Sequence, residues 1–165
     1  KGAIIKFASI DENGEIDVDE FKTIIGTNCR IMGIDPGQKN IGIAICDENQ
    51  KIATPFITIK KNSLDNLLRE IGTIISENSI KGIVVGNPIN MDGSIGKSSQ
   101  SATDFTKNLS KNIKIPITMW DERLSSEGVF TITSKLSSNT SNKVKKIDKN
   151  AAAFILQGAI DFLSN

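Results

Sequence analysis

Apolar and polar positions recur along this chain with two periods, and the changes of period divide it into elements. Ile31 to Ile34 and Ile41 to Ile45 are short apolar runs on either side of a polar turn containing Pro36-Gly37. Two such runs predict an antiparallel hairpin. In the second run Ile41, Ile43 and Ile45 fall on one side, and Gly42, Ala44 and Cys46 on the other. Ala53 to Lys60 predicts a third strand, with Pro55 giving it an edge-like start. The period then lengthens: Leu64, Leu67, Leu68, Ile71, Ile74 and Ile75 follow helical spacing, with Asn62 or Ser63 as cap. Ile80 to Val85 is continuously apolar, the pattern of a strand buried on both faces. Ala102, Phe105 and Leu109 mark the apolar face of a second helix, and Ile115 to Trp120 reads as another buried strand. A weaker helix is expected from Ser125 or Ser126 to Leu136, diluted by Gly128 and threonines. Ser137 to Lys146 reads as a polar, basic loop, and Ile147 to Leu163 as a strongly apolar final helix. Upstream, Asp17 to Ile25 predicts a short helix ended by Gly26.

The order is a three-strand meander, then helix, strand, helix, strand and closing helices. Right-handed strand–helix–strand crossovers make the first, fourth and fifth strands parallel. The expectation is an α/β fold, a mixed five-stranded sheet with helices on both faces. Ligands of such sheets sit beyond the carboxyl ends of the parallel strands.

Acids gather at that edge. Asp35 ends the first run, Asp121 follows the fifth strand, and Asp148 shares a helical face with Ala151, Ala152, Ile155, Ala159 and Phe162. Each has an ordinary reading: Asp35 as a turn cap, Asp148 as a helix N-cap, Asp121 paired with Arg123. Jointly, three carboxylates at one edge would repel and raise each other's pKa values unless a cation lies between them. Oxygen-only ligands select Mg²⁺ or Mn²⁺. Two such ions ~4 Å apart could clamp a phosphodiester, one activating water and one stabilising the leaving oxygen. The chemistry this suggests is metal-assisted phosphodiester hydrolysis.

Composition narrows the field. The chain has no histidine and no tyrosine, which excludes Ser-His, Cys-His and His-metal chemistry. Its net charge of +1 hides an asymmetry: residues 1–28 hold three lysines against six acids, so the excess of positive charge lies downstream. A mildly basic body suits a polyanion without demanding one. Lys143, Lys145, Lys146 and Lys149 surround Asp148 in sequence and read either as a solvated segment or as a grip on a nucleic-acid backbone. Ser94 and Lys97, at the start of a helix, read as turn chemistry or as a phosphate site at its N-terminus. Trp120 reads as core in preference to a base-stacking platform. No apolar run approaches the roughly 18 residues of a membrane span, and no signal peptide is visible. Cys29 and Cys46 lack metal or redox spacing, so the expected setting is a reducing cytoplasm, away from membranes.

Four motifs in order carry a resemblance: GIDPGQKNIGIAICD, VVGNPINMDGS, DERLS and KIDKNAAAFILQ. Together they resemble the YqgF/RuvX family, small RuvC-like nucleases of the RNase H fold, over residues 30–163. The resemblance implies an RNase H-like sheet of order 3-2-1-4-5 with strand 2 antiparallel. It implies a domain over 29–165, behind an acidic extension with a short helix over 1–28. It implies a metal-dependent nuclease acting in 5′-end processing of precursor 16S ribosomal RNA, alternatively a Holliday junction resolvase or a catalytically weak nucleic-acid-binding protein. By matching positions, Asp35, Asp121 and Asp148 become the metal-binding acids, with Glu122 an auxiliary ligand. Lys39, Arg123 and the loop with Asn90, Asp92 and Ser94 become phosphate or backbone contacts. Partners would be ribosomal RNA precursor or branched DNA, together with ribosomal particles, for a monomer or homodimer. The chain departs from the pattern at Pro36, Gln38, Asn40 and Asn87, the last standing where the family usually has Leu.

Two rivals remain at this level. GIDPGQKNIG also resembles the first phosphate loop of actin-like ATPases, which need a second domain and about twice this length. Ser9 to Glu20 resembles an EF-hand loop, with Ser9 at the first ligand position and no partner hand following.

Overall fold

In the computed structural model, residues 17–37, 39–87, 96–121 and 140–164 are described, by backbone alone at 97–99 and 140–150. The elements among them are α1 (Val18–Ile25), β1 (Arg30–Pro36), β2 (Asn40–Cys46), β3 (Ala53–Lys60), α2 (Leu64–Asn78), β4 (Ile80–Asn87), α3 (Lys97–Asn112), β5 (Ile117–Asp121) and α4 (Thr140–Ser164). Ser63 starts α2 by accepting a hydrogen bond from the Asn66 amide, and Asp17 starts α1 by accepting from the amides of Asp19 and Glu20. These caps satisfy donors that the first helical turn leaves orphaned. Of the EF-hand-like stretch, Ser9 to Ile16 lie outside the described residues, as does the helix expected between Ser125 and Leu136.

The five strands form one sheet of order β3-β2-β1-β4-β5. β1 is antiparallel to β2 and parallel to β4, and β4 is parallel to β5. This is the expected mixed sheet. β3 lies at an edge and pairs with β2 through a bulge, Ile43 meeting Ile57 and Ala44 meeting Pro55, so Phe56 is the extra residue.

The pleat sends alternate residues into two separate cores. One packs Met32, Ile34, Ile41, Ile43, Ile83, Val85 and Ile117 against Leu67 and Ile71 of α2 and Phe105 and Leu109 of α3. The other packs Ile31, Ala44, Val84 and Trp120 against Phe21 of α1 and Ala152, Leu156 and Ile160 of α4. The small side of β2, Ala44 and Cys46, therefore lies under the last helix and lets it approach closely.

Boundaries shift in four places. β1 continues past Ile34, pairing Asp35 with Gly42 and Pro36 with Ile41. β4 runs to Asn87, and β5 begins at Ile117 and includes Asp121. The expected loop over 137–146 is helical from Thr140 onward. That segment carries no Gly or Pro to stop a helix, and lysine is a good helix former, so the apolar helix extends through it. Leu64 and Phe162, counted above as packing residues, are more than two-fifths exposed. Leu64 is the first residue of its helix, and Phe162 flanks the buried stripe of α4. No helix among the described residues is long and apolar enough to cross a membrane.

Candidate active site

The site is best built outward from Asp35. It is half-buried and belongs to the last ladder pairs of β1, so a strand rather than a loop fixes its backbone. Its antiparallel partner is Gly42. On the other side, the step after the Ile34–Val85 pair brings Gly86 alongside. Asp35 thus stands between two residues without side chains on the neighbouring strands.

Two further glycines set its position along the strand. A Cβ on Gly33 would lie 2.6 Å from Leu156 Cβ and 3.0 Å from the Ala152 carbonyl oxygen. Only glycine lets α4 sit so close to β1. A Cβ on Gly37 would collide with the Asn40 carbonyl oxygen, so glycine also closes the hairpin. The Gly37 amide donates to the Asp35 carbonyl at 3.0 Å, turning the chain directly after the carboxylate. Lys39, exposed in the same turn, accepts through its carbonyl from the Lys61 amide at 2.9 Å.

Asp121 is the last residue of β5 and pairs in register with Asn87, the last residue of β4. With β4 between them, Asp35 and Asp121 are two strand spacings apart, roughly 10 Å between Cα atoms. Both carboxylates thus come to the carboxyl-end rim of the sheet, as the crossover argument expects. The pleat separates their sides, however. Asp35 follows Ile34 and lies on the α4 side, whereas Asp121 follows Trp120 and lies on the α2/α3 side.

Asp148 lies in α4, one turn before Ala152, whose carbonyl sits over Gly33. One helical turn is ~5.4 Å and two strand residues are ~6.6 Å, so its backbone is in the neighbourhood of Asp35. In the row Asp148–Ala152–Ile155–Ala159, the last three are buried. Lys143, Lys145, Lys146 and Lys149 belong to the same first ten residues of α4. Lys97 opens α3, whose N-cap Gly96 offers no side-chain cap. Asn90, Asp92, Ser94, Glu122 and Arg123 lie outside the described residues. No three potential ligands cluster among the described side chains, a set that lacks Glu122 and Asp148.

Trp120 is 4% exposed and meets Phe162 edge-on at 5.5 Å between ring centroids, so it is a core residue. Local spacing does not mark Gly42 and Gly86 as neighbours of Asp35, because cross-strand register is not written in it. Nor does it mark Gln157. That side chain accepts from the Ala53 amide at 2.9 Å and donates to the Lys51 carbonyl at 3.0 Å, fixing α4 to the start of β3.

Comparison with known proteins agrees with this architecture. A family model described as RuvX, Holliday junction resolvase, matches residues 29–162. A relative in Pelagibacter ubique (strain HTCC1062), described as "Putative pre-16S rRNA nuclease", is 54% identical over 150 residues, spanning 91% of this chain and 99% of the relative. One of the same description in Gluconobacter oxydans (strain 621H) is 36% identical over 143 residues, 86% of this chain and 89% of the relative. Among solved structures, Thermus thermophilus RuvC in complex with a Holliday junction substrate shares the fold, with a TM-score of 0.51, 10% identity, and coverage of 79% of this chain and 91% of that one. By a model match over most of its length and by relatives of nearly its own extent, the chain belongs to the RuvX family.

Proposed function

We propose that this chain is a divalent-metal-dependent nuclease acting on structured nucleic acid, with the 5′ end of precursor 16S ribosomal RNA as its substrate in ribosome biogenesis. The observation that supports this most is the shared rim: Asp35 near the end of β1 and Asp121 at the end of β5 lie on parallel strands with β4 between them, and the Asp148 turn of α4 is seated over β1 by Gly33. The substrate class follows the description of the relatives in Pelagibacter and Gluconobacter.

In this reading Asp35, Asp121 and Asp148 are the catalytic acids and, with Glu122, hold Mg²⁺ or Mn²⁺. An all-carboxylate donor set in a chain without histidine fits a hard cation. Such an ion, when bound, lowers the pKa of a water and offsets charge building on the phosphate. The chain supplies the positioning. Asp35 is held by a strand ladder, and the glycines on either side leave room for a phosphate to approach it. Lys39, Asn90, Asp92, Ser94, Lys97 and Arg123 contact the backbone of the nucleic acid, and Lys143, Lys145, Lys146 and Lys149 add long-range attraction. The protein works in the cytoplasm, with ribosomal particles as its partners.

Single substitutions Asp35→Asn, Asp121→Asn, Glu122→Gln and Asp148→Asn test the acid set. Asp121 and Glu122 adjoin in sequence, so the two acids need separate variants. Loss of a true ligand should reduce Mn²⁺-dependent cleavage by more than the roughly 10–100-fold typical of losing a ligand's supporting partner. Unchanged cleavage in the Asp35→Asn variant, with folding intact, would sink the reading. The description of the family model favours a second substrate, branched DNA. A resolvase that cuts symmetrically needs a two-fold dimer, so solution mass and paired assays on junction DNA and precursor RNA separate the two.

A further inference from the structure

The start of β2 and the end of β3 bring three lysines to one corner of the rim. Asn40 pairs with Lys60 in the β2–β3 ladder, and one step further the Lys61 amide donates to the Lys39 carbonyl at 2.9 Å. The Asn62 amide turns back onto the Lys60 carbonyl at 3.0 Å, so the backbone carries Lys39, Lys60 and Lys61 as one unit. All three side chains are exposed. α2 begins directly after this unit, behind its cap Ser63, and its amino end adds partial positive charge to the corner. Asp65, in the first turn of α2, offsets only part of that charge, since three lysines stand against it.

Register relates this corner to the candidate site. Asp35 pairs with Gly42 and Gly42 with Thr58, so Asp35 and Thr58 stand at one level of β1 and β3. Lys60 lies two residues further toward the rim. By alternation from the buried Ile59 it is on the α4 side of the sheet, which is also the side of Asp35. Two strand spacings and two residues of rise put the Cα atoms of Asp35 and Lys60 roughly 12 Å apart. A nucleic-acid strand carries one phosphate per ~3.4 Å of helix rise. A backbone with one phosphate at Asp35 therefore has others, a few nucleotides away, at this corner.

We propose that Lys60 and Lys61, together with Lys39, form a phosphate-binding corner that holds the substrate backbone beside Asp35, the bound strand running from Asp35 across β2 toward the amino end of α2. This inference rests on the nuclease reading and extends it by two residues, Lys60 and Lys61, that none of the four family motifs contains. Lysine meets phosphate as a point charge, so the corner fixes the path of the backbone without reading its bases.

The test is binding of a single-stranded oligonucleotide with the sequence around the 5′ end of 16S ribosomal RNA to the full chain, measured in EDTA over a salt series. Lys60→Gln with Lys61→Gln removes two charges from exposed positions and leaves the ladder intact. The slope of log affinity against log salt should shallow by about 1.4, the loss of two phosphate contacts on a single strand. In Mn²⁺ the same variant should raise KM and leave kcat unchanged. Lys107→Gln with Lys111→Gln is the control: it removes the same charge from α3, Lys111 lying in the last turn of that helix. An unchanged slope in the Lys60/Lys61 variant, or an equal change in the control, overturns the proposal. Trimming the oligonucleotide supplies a second arm. Removal of nucleotides from one end should abolish the difference between wild type and the Lys60/Lys61 variant, and removal from the other end should preserve it. A difference that survives trimming from either end overturns the single path. Because binding is read without metal, the two readings fail separately. A wild-type chain that cuts while the variant's slope is unchanged removes this proposal alone, and one that binds with the expected slopes but does not cut in Mn²⁺ removes the nuclease reading alone.

Discussion

Gly33 is the residue on which the seating of α4 turns. Adding one methyl would press on Leu156 Cβ at 2.6 Å and on the Ala152 carbonyl at 3.0 Å, against a helix that cannot yield locally. Gly33→Ala is therefore expected to destabilise by about 1–3 kcal/mol, the range of overpacked cores, and to reduce cleavage beyond what its melting curve explains. Urea unfolding and specific activity on the folded fraction would check both parts. Cys46 makes a second residue-scale case. Burial pushes its thiol up to about 11, the main opposing influence being the Ile31 amide that donates to its sulfur at 3.2 Å. Burial likewise raises the Cys29 thiol. A thiol whose folded pKa lies above its unfolded value keeps its proton longer in the native state. Stability is then full below about pH 9 and falls as pH rises toward 11. The chain has no tyrosine to titrate in that window. Cys46→Ala should flatten the decline seen in melting experiments between those pH values, and an equally steep decline would refute the assignment. The sulfur contact that shapes Cys46 was not legible in the sequence, because Ile31 lies on another strand.

Elements are tied together here by a few polar contacts across long sequence separations. Gln157 carries the clearest: besides its two bonds to the start of β3, its amide donates to Asp161 Oδ1 at 3.0 Å within α4. Gln157→Ala would strand the Ala53 amide and the Lys51 carbonyl, at a cost of about 1–3 kcal/mol if water does not replace the partner. Hydrogen exchange should show faster opening at Ala53 first, and exchange confined to α4 would contradict this account. Strand and helix identities were readable in advance at Ile41 to Ile45 and at Leu67 to Ile75, since apolar period is local. The end of β1 was not, because Pro36-Gly37 signals a turn while Asp35 and Pro36 still complete ladder pairs with Gly42 and Ile41. The start of α4 departs from the local pattern for a related reason. Ser137 to Lys146 is polar enough to look like a loop, yet helix formation from Thr140 is favoured by propagation out of an apolar helix that is already anchored.

At the scale of the whole molecule, helices pack on both faces of the sheet's central strands, and the proposed chemistry lies at the rim. Nucleic-acid affinity should accordingly fall with salt. Neutralising Lys143, Lys145, Lys146 and Lys149 together should shallow the slope of log affinity against log salt by as much as about 3, for four phosphate contacts on a single strand. An unchanged slope in filter-binding measurements would take those lysines out of the recognition surface. By itself the sequence determined the kind and order of the described elements, the two sides of β2, the lack of histidine and the family. All of these follow from local periodicity, composition or contiguous motifs. Only the tertiary structure decided that glycines flank Asp35 on both neighbouring strands, that Gly33 seats the last helix, and that Asn87 stands opposite Asp121. Those are matters of register between segments far apart in the chain, where a one-residue slip reverses every face, and no local pattern specifies them.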